Sequence, residues 1–442
     1  MDLLRRAYAA ASDDEHEETL TDHPVAKRLR SREHHGVADY PSPAHHRVPP
    51  SHPAEVAPLS ATRYISKRER AMLAASSSSS SSAITSPNQP RISPSSTGLT
   101  SPVIGTISDS DLPHDVLIKL RSRARGHSQS SNVARKLSVA LTGHDKAVNA
   151  IQWSHNQAHL LASAGMDQRV HVWNVWSKDQ KKACSFEHHN AAVKDVRWSP
   201  QGLFLLSCGY DCSTRLVDVE KGIETQHFKD DQVVEVIRFH PSNSDLFLSG
   251  GSKGFLKLWD IRSGKMVQSY VKGLGPILDL EFSFDAKQFI SSSDTTLSNI
   301  SENAIIVWDV SRQVPLSNQV YTEVYTCPCV RYHPTDACFV AQSNGNYIAI
   351  FSSQPPFKLD RYKRFENHGV WGFPIKCNFS SDGIQLASGS SDGSIYLYNY
   401  RSSELIRKLK AFEQPCIDVA FHPSIPHMIA SCSWTGDISV FE

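Results

Sequence analysis

The sequence predicts an all-β protein: a seven-bladed β-propeller preceded by a long disordered N-terminal region. Two observations carry this reading. A unit first seen at Leu141–Asn174 recurs to the end of the chain, and the composition changes abruptly near residue 133. All nine cysteines and all eight tryptophans of the 442 residues lie beyond that point.

Residues 1–133 hold no Cys, Trp or Phe and are rich in Ser, Pro, His and Arg, with a serine run at Ser76–Ser82. Such a segment has too little apolar side chain to offset the entropy of ordering it. The expectation is a disordered tail ending in a basic linker (Lys119, Arg121, Arg123, Arg125, Arg135). Within the tail, Lys27, Arg28, Arg30 and Arg32 form a compact basic cluster of nuclear-import type. The cluster reads equally well as a solvated charge run. The linker offers phosphate contacts to RNA, or simply keeps the chain solvated.

From residue 136 to 442 the chain reads as one repeat array. Taking Trp173 as the mark, equivalent positions fall at Val217, Trp259, Trp308, Phe351, Tyr398 and Phe441, at spacings of 44, 42, 49, 43, 47 and 43 residues. A period of about 40–45 residues with four short strands per unit is the pattern of propeller blades. The repeats run approximately 141–174, 186–218, 227–260, 270–309, 320–352, 365–399 and 409–442. Each opens with an alternating strand ending in an aromatic (Trp153, Trp198, Phe239, Phe282, Tyr332, Phe379, Phe421). A small-residue strand such as LLASAG follows, then a β-branched or aromatic one such as RVHVW. The last copy lacks an outer strand, and the alternating Lys136–Leu141 precedes the first. The N-terminal strand is therefore expected to complete the C-terminal blade, closing the ring and leaving only short edges.

His144, Ser163, Asp167 and Trp173 recur in the same order, as His189, Ser207 and Asp211 in copy two and His368, Ser388 and Asp392 in copy six. A Ser/His/Asp trio invites a hydrolase reading. Its repetition around the ring argues instead for hydrogen bonds tying strands to turns: a buried carboxylate needs donors, which imidazole and indole supply. Copies three, four, five and seven depart from the pattern, and copy four carries about seven extra residues at Thr295–Ser301. No catalytic set, cofactor loop or metal-spaced cluster is expected, and the formal net charge of +1 gives no global case for nucleic acid or an acidic substrate. No apolar run approaches the ~18 residues of a membrane span. The odd cysteine count and the missing secretory signal point to reduced thiols in a cytosolic or nuclear compartment. Function is then expected to be binding, with Asn149, Lys194 and Glu235 ringing the mouth of the disc.

The motif order in residues 136–442 resembles the WD-repeat propellers. Within them, Leu258–Gly264 (LWDIRSG), Phe365–His368 (FENH) and Lys410–Ile417 (KAFEQPCI) are similar to the family of pre-mRNA-processing factor 17 and WD repeat-containing protein 25. The resemblance implies the hydrogen-bonded chain named above and a non-enzymatic nuclear scaffold of the spliceosome. Its partners would be proteins, with RNA at the basic linker and no membrane or small-molecule substrate. A rival role rests on Trp259-Asp260-Ile261-Arg262. This matches the W-D-x-R pattern by which some propellers dock on a cullin–RING ubiquitin ligase, with Arg262 as the contact.

Overall fold

The computed structural model describes residues 102–121, 133–270, 273–294, 304–319 and 325–442. The basic cluster Lys27–Arg32 and the Thr295–Ser301 insert lie outside them. The described residues form seven four-stranded antiparallel sheets. Blade one is β2 (Val148–Trp153), β3 (Leu160–Gly165), β4 (Val170–Asn174) and β5 (Lys182–Phe186), paired in that order. Period-2 alternation decides which neighbour each side chain faces, Val170 and Val172 towards blade two and Trp173 towards blade seven. On β4, Val170, Val172 and Trp173 are buried between neighbouring blades, and His171 beneath the turns.

Ring closure follows the expected design. In blade seven β26 (Cys416–Phe421), β27 (Ile429–Ser433) and β28 (Ile438–Phe441) are followed in space by β1 (Leu137–Leu141). The pairing sets Val139 against Val440 and Leu141 against Ile438. Seven apolar clusters among the described residues fill the seven blade-to-blade interfaces. The inner strands of each blade are thus buried against the next sheet, as a propeller requires.

One expectation is corrected. The composition assigns residues 102–121 to the disordered tail, yet they are ordered against the ring and include a helix, α1 (His114–Arg121). Leu112 and Val116 are buried, and Val103 and Ile107 pack on the cluster between blades one and two.

Candidate functional site

The polar chain of blade one is continuous. Trp173 Nε1–H donates to Ser163 Oγ at 2.9 Å, and Ser163 Oγ lies 2.7 Å from His144 Nε2. His144 Nδ1 sits 3.0 and 2.9 Å from the two oxygens of Asp167. The amides of Asp145 and Arg169 also donate to that carboxylate. Burial alone would raise the Asp167 pKa; the His144 hydrogen bond reverses this and brings it down to about 2. Ser163 has no exposed surface and its oxygen already accepts the indole N–H, so it cannot meet a substrate. His171 lies with its ring 4.3 Å from that of His144, and these two with Asp167 gather three donor groups of metal-binding type. Both His144 nitrogens are engaged, however, and the Lys182 ammonium lies 3.4 Å from His171 Nε2, where it would repel a second cation.

Blade two keeps three members. His189 bonds Asp211 at 2.9 Å and Ser207 at 2.7 Å, while Val217 replaces the indole and Ser213 Oγ donates to Asp211 instead. Blade six departs from the expected set. Tyr398 stands at the Trp position, and its hydroxyl lies 2.9 Å from His368 Nδ1. Gln342 of blade five reaches His368 Nε2 at 2.6 Å. With both ring nitrogens taken, His368 meets neither Ser388 nor Asp392. Asp392 turns to Lys408 at 2.7 Å and Tyr396 at 3.0 Å.

The residues expected at the rim make contacts between blades. Asn149 is buried and donates to Val193 O across the blade boundary. Lys194 and Glu235 pair at 2.9 Å and are largely enclosed. They neutralise one another across the boundary between blades two and three.

Sequence reasoning missed the charged inner ring. Asp195, Asp279 and Asp418 sit beside register shifts on β6 (Val193–Trp198), β14 (Ile277–Phe282) and β26. Each carboxylate accepts an N–H from a neighbouring blade, of Ile237, Val330 and Ile151 respectively. Arg238 reaches Asp195 and Asp279, both at 2.7 Å, Arg331 also binds Asp279, and Lys376 lies 3.6 Å from Asp418. Burial pushes Asp195 up; Arg197 and Arg238 overcome this and hold it well below the usual carboxylate range. An acid followed by Val or Leu within the first strand of a blade, as in Asp195-Val196, Asp279-Leu280 and Asp418-Val419, was the signal for these residues.

Open surface lies at both ends of the disc. At the end bearing the His144 turn, Trp371 is 76% exposed, and its loop is held in an unusual conformation (φ 51°) by Asn346, which accepts the Val370 amide at 2.7 Å. At the opposite end a groove of about 400 Å³ lies between blades two and three. Leu203, Phe239 and Ile261 form apolar walls and Arg262 stands on its rim, with a side chain 76% exposed and 3.8 Å from Asp245.

A ring of seven blades with this polar chain defines the class: the chain is a WD-repeat β-propeller. The WD domain, G-beta repeat family matches residues 135–174, 180–218 and 360–399. Among curated relatives, WD repeat-containing protein 25 of Mus musculus is 35% identical over 316 residues, 71% of this chain and 59% of that protein. Pre-mRNA-processing factor 17 of Mus musculus is 29% identical over 75% of this chain and 56% of its own length. The Saccharomyces cerevisiae factor of that name is 26% identical over 75% of this chain and 71% of its own. The chain thus spans little more than half the length of the two mouse relatives.

Proposed function

We propose that this protein is a non-enzymatic protein-interaction scaffold, nuclear and associated with pre-mRNA splicing. The observation that carries the reading is the match to pre-mRNA-processing factor 17 proteins of mouse and yeast over 75% of the chain. The geometry supports binding over catalysis. The Ser/His/Asp trio is sealed, the inner ring is internally neutralised, and the exposed features are an indole and a grooved face. The import-type cluster Lys27, Arg28, Arg30 and Arg32 supports nuclear entry. RNA contact would fall to Arg123, Arg125 and Arg135, because Lys119 and Arg121 are paired with Glu442 and Asp109.

A second reading is favoured by Arg262, which stands exposed beside the groove at the end of Trp259-Asp260-Ile261. There the protein is a substrate receptor that docks on a cullin–RING ligase adaptor. Affinity purification of the tagged full chain from nuclear extract distinguishes the two. Splicing proteins recovered equally by wild type and Arg262→Ala support the first. Cullin adaptor recovered by wild type and lost with Arg262→Ala supports the second.

A further inference from the structure

Residues 102–121 run along blade one in a defined way. The amides of Ile104 and Gly105 donate to Ala183 O at 2.8 and 2.9 Å, and Ser185 N–H donates to Pro102 O at 2.8 Å. Val103 forms an antiparallel bridge with Cys184, the only isolated bridge among the described residues. Gly105 suits this approach, since a Cβ there would lie 2.9 Å from Lys182 O. The segment acts as a fifth strand on the outer edge of β5.

Side chains of the blade then hold it. His159 Nε2 lies 2.8 Å from Ile107 O, and the Asn174 amide donates to Thr106 O and Ser108 O, both at 3.1 Å. Val103 and Ile107 pack on the cluster between blades one and two. Beyond them Leu120 packs on the cluster between blades seven and one, and Lys119 Nζ meets Glu442 at 2.6 Å. One strap therefore grips both interfaces of the blade that borders the seam of the ring. The ion pair is half exposed and contributes little; the strand bonds and partly buried apolar groups do the holding.

We propose that the outer edge of blade one is a docking site for an extended apolar strand, occupied in cis by residues 102–107, and that this occupancy locks the ring's seam from outside. An unpaired sheet edge is a ready template for strand addition, and main-chain bonds supply its affinity. Tethering gives the cis segment a high effective concentration, so the seam stays locked until the strap is displaced.

The test is amide hydrogen exchange on the full chain carrying Ile104→Pro and Gly105→Pro, which deletes both donors of the strap. Exchange at Ser185 and along Ile438–Phe441 should rise about tenfold. A synthetic peptide of residues 100–121 added to the variant should restore protection at both places. Protection of Ile438–Phe441 that is unchanged in the variant, or not restored by the peptide, would overturn the proposal. His159→Ala with Asn174→Ala, which leaves every backbone donor in place, repeats the test should the proline variant fail to fold. It should show the same paired rise, and unchanged protection of Ile438–Phe441 overturns the proposal here as well.

Discussion

Arg238 stands with a guanidinium nitrogen 2.7 Å from Asp279, joining blade three to blade four at the centre of the ring. Its other terminal nitrogen meets Asp195 of blade two at the same distance. One side chain therefore fastens three consecutive blades, and both acids hold further bonds to strand amides. Replacing it with Ala takes one counter-ion from each of two buried carboxylates, leaving Asp195 to Arg197 and Asp279 to Arg331, and losing one partner of a buried ion pair costs about 3–5 kcal/mol. Urea unfolding of Arg238→Ala should show a loss of that size. A loss under about 1 kcal/mol would mean that the ring does not rest on this pairing.

Ser163 and Ser388 occupy the same repeat position and should respond differently. Ser163 links the Trp173 indole to His144, so Ser163→Ala strands two buried nitrogens and should cost about 1–3 kcal/mol. Ser388 reaches only its neighbour Gly389 O and, at 3.3 Å, Gln342, so Ser388→Ala should cost less than about 1 kcal/mol. Thermal melts of the two variants side by side check the difference. Equal losses would contradict the rearrangement around Tyr398.

Acid should weaken the fold through buried imidazoles. Burial holds His368 down to about 4 and His171 down to about 3, against 6.5 unfolded. Between those values the unfolded chain binds the protons and the folded chain does not. The stabilisation is therefore complete above pH 6.5 and lost as pH falls toward 4. For His368 the loss by pH 4 is about 3 kcal/mol. The unfolding free energy of His368→Gln should fall less steeply than wild type between pH 6.5 and 4, and parallel slopes would refute the assignment.

Closure by a shared blade predicts that deleting residues 434–442 opens the ring. Removing β28 takes away the partner of both β1 and β27. The truncated protein should lose the cooperative melt of the full chain. A sharp transition at the full-length temperature would show that β1 closes nothing.

The ring was legible because its signal repeats: seven aromatic or β-branched marks at near-constant spacing cannot arise from one local preference. His368, Ser388 and Asp392 also matched by spacing, but spacing does not report that Gln342 enters from the neighbouring blade or that Tyr398 offers a hydroxyl where Trp173 offers an indole N–H. The partners of Arg238 lie 41 and 43 residues away along the chain, so the acids were visible and their pairing was not. The strap escaped for a related reason. Val103 and Ile107 are too few to lift a Ser- and Pro-rich composition, and their partial burial depends on an edge that only the folded blade presents.

The proposed role stands most directly on what the intact chain carries with it. Tagged full-length protein and its Arg262→Ala variant should be purified from nuclear extract in parallel and their partners quantified by mass spectrometry. Splicing proteins enriched equally with both is the predicted result. Enrichment of a cullin adaptor lost with Arg262→Ala, or of neither set, would contradict it.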